Sequence, residues 1–283
     1  FQEKTAYEIG VRIMESELCI RDRFCNVGKD SVIQSIDAST IYDVPNMMLD
    51  EGLDVVALKK MDLPVADAPT LEHWNEFLKR HKNPKDTVSV GLIGKYVELQ
   101  DSYKSILESF IHAGASNEVK VEVKSIHSEF INESNIAEEL KDLDAILVAP
   151  GFGERGIEGK IEAVRYARET GLPFLGICLG MQMAVIEYSR NVLGLKGANS
   201  TEMDPTTQYP VINLMEEQKH VTNKGGTMRL GAWKCDLKAE SIVSDIYGAD
   251  SIMERHRHRY EYNDFYRNDL ENAGLTATGI NPD

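Results

Sequence analysis

Cysteine is scarce: Cys19, Cys25, Cys178 and Cys235 are the only four in 283 residues, and no two form a C-x-x-C pair. That rules against zinc-ribbon spacing. So few thiols in so long a chain fit a reducing cytoplasm rather than a disulfide scaffold. Basic residues are outnumbered, with 31 Lys and Arg against 46 Asp and Glu, for a formal net charge of −15. That balance argues against a nucleic-acid or anionic-membrane surface, although not against a small nucleotide in a local basic pocket. No apolar run approaches the roughly 18 to 20 residues that span a bilayer, no signal-peptide pattern is visible, and there is no internal repeat or low-complexity tract. The length suits one large or two small domains with a real core. The first residue, Phe1, leads to the expectation of a fragment.

The most informative segment present is Gly176-Ile177-Cys178-Leu179-Gly180-Met181-Gln182. An apolar run, Leu172 to Ile177, leads in, and a helix-like run from Leu179 to Val192 leads out. This reads as strand, sharp turn, helix, with glycines admitting a turn that side chains would block. It is the cysteine version of the hydrolase serine elbow. A helix N-terminus favours the thiolate, so a reactive nucleophile for acyl transfer is expected; a buried structural cysteine is the alternative. Upstream, strand and helix signals alternate: strands over 87–93, 119–126 and 145–149, helices over 101–112, 136–140 and 158–169. The expectation is an α/β fold, a mostly parallel sheet with helices on both faces and reactive groups at the carboxyl ends of strands. Residues 1–22 read as an amphipathic helix candidate, 71–79 as a helix, and the basic tail 79–85 as a linker, with a boundary near residue 86.

Pro150-Gly151-Phe152-Gly153-Glu154-Arg155-Gly156 also follows a buried strand and precedes a helix. Read literally it holds G-x-G-x-x-G, which calls for an acidic residue about 20 positions on to bind a ribose. The next strand ends in Gly176-Ile177-Cys178 instead, so an oxyanion loop is the better reading: N–H groups near Gly151 and at Leu179 converging on a developing negative oxygen. In Glu254-Arg255-His256-Arg257-His258-Arg259-Tyr260-Glu261, alternation sets the three arginines on one strand face, suited to clamping a carboxylate. A solvated strand edge and a metal site at His256 and His258 are the rivals. Glu202, in Asn199-Ser200-Thr201-Glu202, has either a binding role or capping-box chemistry. None of the seven histidines sits in a convincing strand-end context beside an acid, which leaves the triad incomplete.

These segments, with Gly91 to Tyr96, Asp101 to Ser105, Ala198 to Glu202 and Gly226 to Gly231, resemble the glutamine amidotransferase half of the CTP synthase family. Phe24 to Val27 and Asp37 to Pro45 resemble the tail of that family's synthetase domain. The resemblance implies a class I amidotransferase, flavodoxin-like domain over 87–283, truncated at its C-terminus. It implies a small helical synthetase remnant over 1–66, with 1–22 unassigned, and a linker over 67–86. It further implies a cytoplasmic ligase of pyrimidine biosynthesis, in which ammonia from glutamine converts UTP to CTP with ATP and Mg2+. In this chain Cys178 is then the nucleophile, and Gly151 and Leu179 supply oxyanion N–H groups. The glutamine pocket comprises Gly151, Leu179, Gly180, Met181, Gln182, Glu202 and Arg259. Phe152, Arg155, Gly156 and Glu158 match the loop that responds to the effector GTP. No metal or cofactor is expected on the fragment itself, and the parent is expected to be a homotetramer. The family's His-Pro-Glu segment lies beyond the part matched, so impaired hydrolysis is expected. Pro150 also stands where the family usually has glycine. A cysteine hydrolase of another pathway and a non-catalytic assembly module are the alternatives.

Overall fold

Alternating side chains build the central sheet. On β1 (Asp86–Gly94), Val90 and Leu92 face one way and Ile93 the other. A strand must do this when both of its faces are covered. The computed structural model describes residues 27–65, 67, 69–215, 218 and 228–282. The helix candidate over 1–22, Cys19, Cys25, Gly226 and Thr227 lie outside the described residues. By contacts the chain divides into two units, 1–84 with 115–118, and 85–114 with 119–283.

In the first unit, α1 (Val44–Asp50) begins with Pro45 in its first turn, and Gly52, at φ 70°, lets the chain reverse into α2 (Leu53–Lys60). Helix α3 (Glu72–Lys82) runs on through Lys79 to Lys82, which composition had marked as linker. Favourable charge at the helix C-terminus and the Lys82–Asp43 ion pair, at 2.6 Å, account for the extension. Trp74 donates to the Tyr42 carbonyl at 2.9 Å, and the rings of Trp74, Phe77 and His81 enclose buried Tyr42.

In the second unit β1 is followed by α4 (Lys104–Ser116), β2 (Val119–His127), α5 (Ile136–Glu139), β3 (Ala145–Val148), α6 (Ile157–Thr170), β4 (Phe174–Gly176) and α7 (Leu179–Asn191). The four strands pair in parallel in the order β2-β1-β3-β4. One apolar cluster joins Ile93, Ile146 and Val148 to Ile161, Val164, Met183 and Ile186 of α6 and α7. The opposite face packs Leu92 and Leu147 with Ile106 and Phe110 of α4. This is the α/β architecture expected from the alternation of signals.

Beyond α7 come β5 (Asn199–Ser200), β6 (Pro210–Leu214), β7 (Arg229–Leu237), α8 (Ile242–Tyr247), β8 (Ser251–His258), β9 (Tyr260–Tyr262), α9 (Arg267–Asn272) and β10 (Gly279–Ile280). They form two three-stranded sheets, β10-β7-β8 and β5-β6-β9, which sequence patterning had not separated from the main sheet. The long β7–β8 ribbon is antiparallel, and the step from β8 to β9 turns the chain toward the carboxyl end of β4.

Candidate active site

The turn between β4 and α7 is built by close packing. A methyl on Gly180 would sit 2.2 Å from the Val148 carbonyl oxygen, and one on Gly176 would sit 2.6 Å from the Gly180 backbone. Only glycines allow the helix to start this close to the sheet. Between them Cys178 takes φ 55° and ψ −107°, a conformation that non-glycine residues rarely adopt and that costs about 1–3 kcal/mol. The surrounding packing holds that strain, and the thiol rises at the head of α7.

The oxyanion loop reaches the thiol from the carboxyl end of β3. The backbone N–H groups of Leu179 and Gly151 lie beside the Cys178 sulfur and favour its anionic form. Gly153, at φ 74°, and Gly156, at φ 73°, turn the loop, and Gly156 caps α6. The loop is tied down at several points. Glu202 accepts from the Gly153 N–H at 3.1 Å, Lys95 donates to the Phe152 carbonyl, and Arg155 donates to the Lys95 carbonyl at 3.3 Å.

Burial pushes the Cys178 thiol above its ordinary value, and the Glu202 carboxylate adds to this, while the two N–H donors and Lys160 pull it back. In this half-buried site desolvation of the anion opposes the helix N-terminus, which favours it. His258, on the same cavity, is held below the usual imidazole range by burial and by His256 and Arg229.

A cavity of about 70 Å³ brings together Gly151, Phe152, Cys178, Gln182, Glu202 and Arg259 from four separate stretches of chain. Buried Gln182 spans from α7 to the Tyr260 carbonyl at 3.1 Å, and Arg259 donates to Gln218 at 2.8 Å. Other expected residues lie elsewhere. Met181 is exposed and off the cavity, and Gly180 serves the packing of α7 on β3. The three arginines do not share one face toward the cavity. Arg255 and Arg257 are exposed on β8, whereas Arg259 falls between β8 and β9, where alternation breaks and the side chain turns inward. Arg257 lines this cavity and Arg255 only a wider neighbouring cleft. Of the loop residues expected to answer GTP, Phe152 lies on the cavity. Arg155 pairs with Glu129 at 2.9 Å and stacks over Tyr96, and Glu158 pairs with Arg190 at 3.0 Å. Among the described residues no group of three or more His, Cys, Asp or Glu is placed to hold a metal ion.

Two lysines near the site had no place in the sequence reading as functional residues. Lys160 is fully buried, and Lys95 nearly so. A signal for Lys160 was present: it falls on the apolar stripe Ile157, Ile161, Val164 of α6, where a lysine is out of pattern.

A cysteine on a strand-to-helix elbow, two peptide N–H groups beside its sulfur and a carboxylate and an arginine across a small cavity define the class: α/β domains of the glutamine amidotransferase type. The family model Glutamine amidotransferase class-I matches residues 98–283, and the chain belongs to that family. Its relatives are more particular. Over 260 residues, 92% of this chain, it is 72% identical to the CTP synthase of Christiangramia forsetii and 70% identical to that of Flavobacterium johnsoniae. The aligned part is 48% of each of those proteins, so the chain spans about half the length of the curated relatives it matches. Among solved structures it is similar to the Trypanosoma brucei CTPS glutaminase domain with bound acivicin. That match has a TM-score of 0.64 and 37% identity, and covers 69% of this chain and 75% of the other. No helix among the described residues is long and apolar enough to cross a membrane.

Proposed function

We propose that this chain binds and hydrolyses glutamine through a Cys178 thioester, and that it is the ammonia-supplying part of a CTP-forming ligase. The observation that carries the reading is the cavity that brings Cys178, at the head of α7, together with Gly151, Glu202 and Arg259, with the Leu179 and Gly151 N–H groups favouring the anionic sulfur. Glutamine has an ammonium and a carboxylate at one end and an amide at the other. Glu202 suits the ammonium, Arg259 the carboxylate, and Gln182 the wall between them. The side-chain amide then lies toward Cys178. Sulfur attacks the amide carbon, the oxygen gains negative charge toward the two N–H donors, and the C–N bond breaks as the proton that the thiol gave up passes to the departing ammonia. Water releases glutamate and restores the thiol.

The ligase reading is supported by the relatives, whose alignment of 260 residues is longer than the segment 98–283 and so takes in part of the chain before it. On this reading residues 27–65 are the end of a synthetase domain, and UTP, ATP and Mg2+ are handled by the part of those proteins that the chain does not span. The loop carrying Phe152 and Arg155 would answer GTP. Among the described residues His258 is the histidine that lines the Cys178 cavity. Slow hydrolysis by this chain belongs to the same reading, since the family's His-Pro-Glu segment lies outside the part matched.

The test is labelling of Cys178 by acivicin. Rapid labelling that glutamine prevents, absent in Cys178→Ser, is the expected result. Labelling no faster than that of a free thiol, or indifference to glutamine, would overturn the reading in favour of a non-catalytic module.

A further inference from the structure

The loop that brings Gly151 to the sulfur is gripped from behind. Lys160 Nζ donates to the Ala149 carbonyl at 2.9 Å, and Lys95 Nζ donates to the Phe152 carbonyl. The two bonds bracket Pro150 and Gly151. With the flanking carbonyls turned toward the lysines, the Gly151 N–H is left on the side of Cys178, whose anion it favours. A methyl on Gly151 would lie 3.5 Å from Leu179 Cδ2, 3.7 Å from Lys95 Cε and 3.8 Å from Lys160 Nζ. The buried ammonium of Lys160 therefore stands directly behind the oxyanion loop. Lysine in the core of a helix packed on a sheet is costly unless something is gained by it. Neither the elbow nor the cavity lining requires it, since Lys160 does not touch the cavity.

We propose that Lys160 is a positioning residue of the amidotransferase site: it fixes the Ala149–Gly151 peptides so that the Gly151 N–H faces Cys178, and its charge supports the negative sulfur and oxygen from behind the loop. The inference rests on the glutamine-hydrolysing reading for its purpose, although not for its geometry. Its electrostatic side is reciprocal. Burial and the neighbouring Lys95 lower the Lys160 ammonium to about 8, while Cys178 acts to raise it, and Lys160 in turn lowers the thiol. The other groups around the sulfur are Glu202, Arg257, His258, Arg259 and Tyr260. His258 is shifted below its ordinary value and Tyr260 above its own, so both titrate outside the range between those values.

The experiment is the rate of Cys178 alkylation by iodoacetamide from about pH 6.5 to about 9.5, where thiol ionisation governs the rate. This probe needs no glutamine pocket, so it stays informative if acivicin fails to label. In Lys160→Met the profile is expected to move to higher pH, with the rate at neutral pH down by about tenfold, the equivalent of roughly one pH unit in thiol ionisation. Lys160→Gln keeps a donor for the Ala149 carbonyl without the charge, so it separates alignment from electrostatics; its profile is expected to move as well. The unsubstituted chain offers a reading that no folding defect can spoil. The rise of log rate is expected to bend over a wider pH range than one thiol ionisation gives, as Lys160 loses its proton near 8 while the thiol ionises. A profile that a single thiol ionisation fits, or one unchanged by both substitutions, would overturn the proposal. Failure of glutamine to protect the thiol, with the profile shifted as described, would leave the proposal standing and remove the glutaminase reading.

Discussion

Glu202 has two claims on its carboxylate. It already accepts from the Gly153 N–H at 3.1 Å, and on the proposed reading it also receives the substrate ammonium. Replacement by glutamine keeps an acceptor for Gly153 and removes the charge. Glu202→Gln is therefore expected to weaken glutamine protection of Cys178 by about 30- to 100-fold, the worth of a hydrogen bond to a charged group. Titration of acivicin labelling against glutamine measures it, and a change below threefold would count against the role. The arginines offer a sharper contrast. Arg259→Met should cost a similar factor, whereas Arg255→Met, exposed on β8 and outside the small cavity, should leave protection within about twofold. Strand alternation by itself places both on one face. The chain breaks that alternation at Arg259, between β8 and β9, and no local pattern announces such a break.

At the scale of elements, the elbow depends on α7 lying against β3 with no side chain between them. Gly180→Ala puts a methyl 2.2 Å from the Val148 carbonyl oxygen, which is backbone and cannot step aside. The substitution is expected to cost ~3 kcal/mol or more and to slow Cys178 labelling, because the head of α7 must move outward. Chemical denaturation with the labelling rate tests both. Helices α6 and α7 are also joined through Glu187, fully buried, which receives Arg168 at 2.8 Å and Asn191 at 3.0 Å. Glu187→Ala removes the partner of Arg168 across the two helices and leaves it only Glu169, at 3.2 Å beside it on α6. Since Arg168 retains access to water, the expected loss is about 2 kcal/mol, below that of breaking a wholly buried pair. A loss under about 0.5 kcal/mol would mean that the surrounding apolar packing alone aligns the two helices.

Across the whole molecule, pH links the site to stability. Lys160 titrates at about 8 in the folded chain against an ordinary 10.5. Between those values the unfolded chain binds more protons, so this residue makes the unfolding free energy rise with pH. Its full penalty is present below about 8 and is relieved by about 10.5, a span on the order of 3 kcal/mol. Lys160→Met should abolish this increment, so its stability advantage over the unsubstituted chain should shrink between pH 7 and pH 10; a pH-independent difference would refute the linkage. The same scale shows what could be read in advance. Strands, helices and the elbow were legible within a few residues, since burial on both sides of a parallel sheet imposes short apolar runs and the glycines mark the turn. Local chemistry determined the candidate nucleophile and its loop. The family resemblance implied that Glu202 and Arg259, far from Cys178 along the chain, would share its pocket; tertiary structure alone decided that burial would push the thiol up and that a lysine from the core of α6 would stand behind the loop. Each of these depends on distance through folded space and on exclusion of water, and neither quantity is written in the neighbours of a residue.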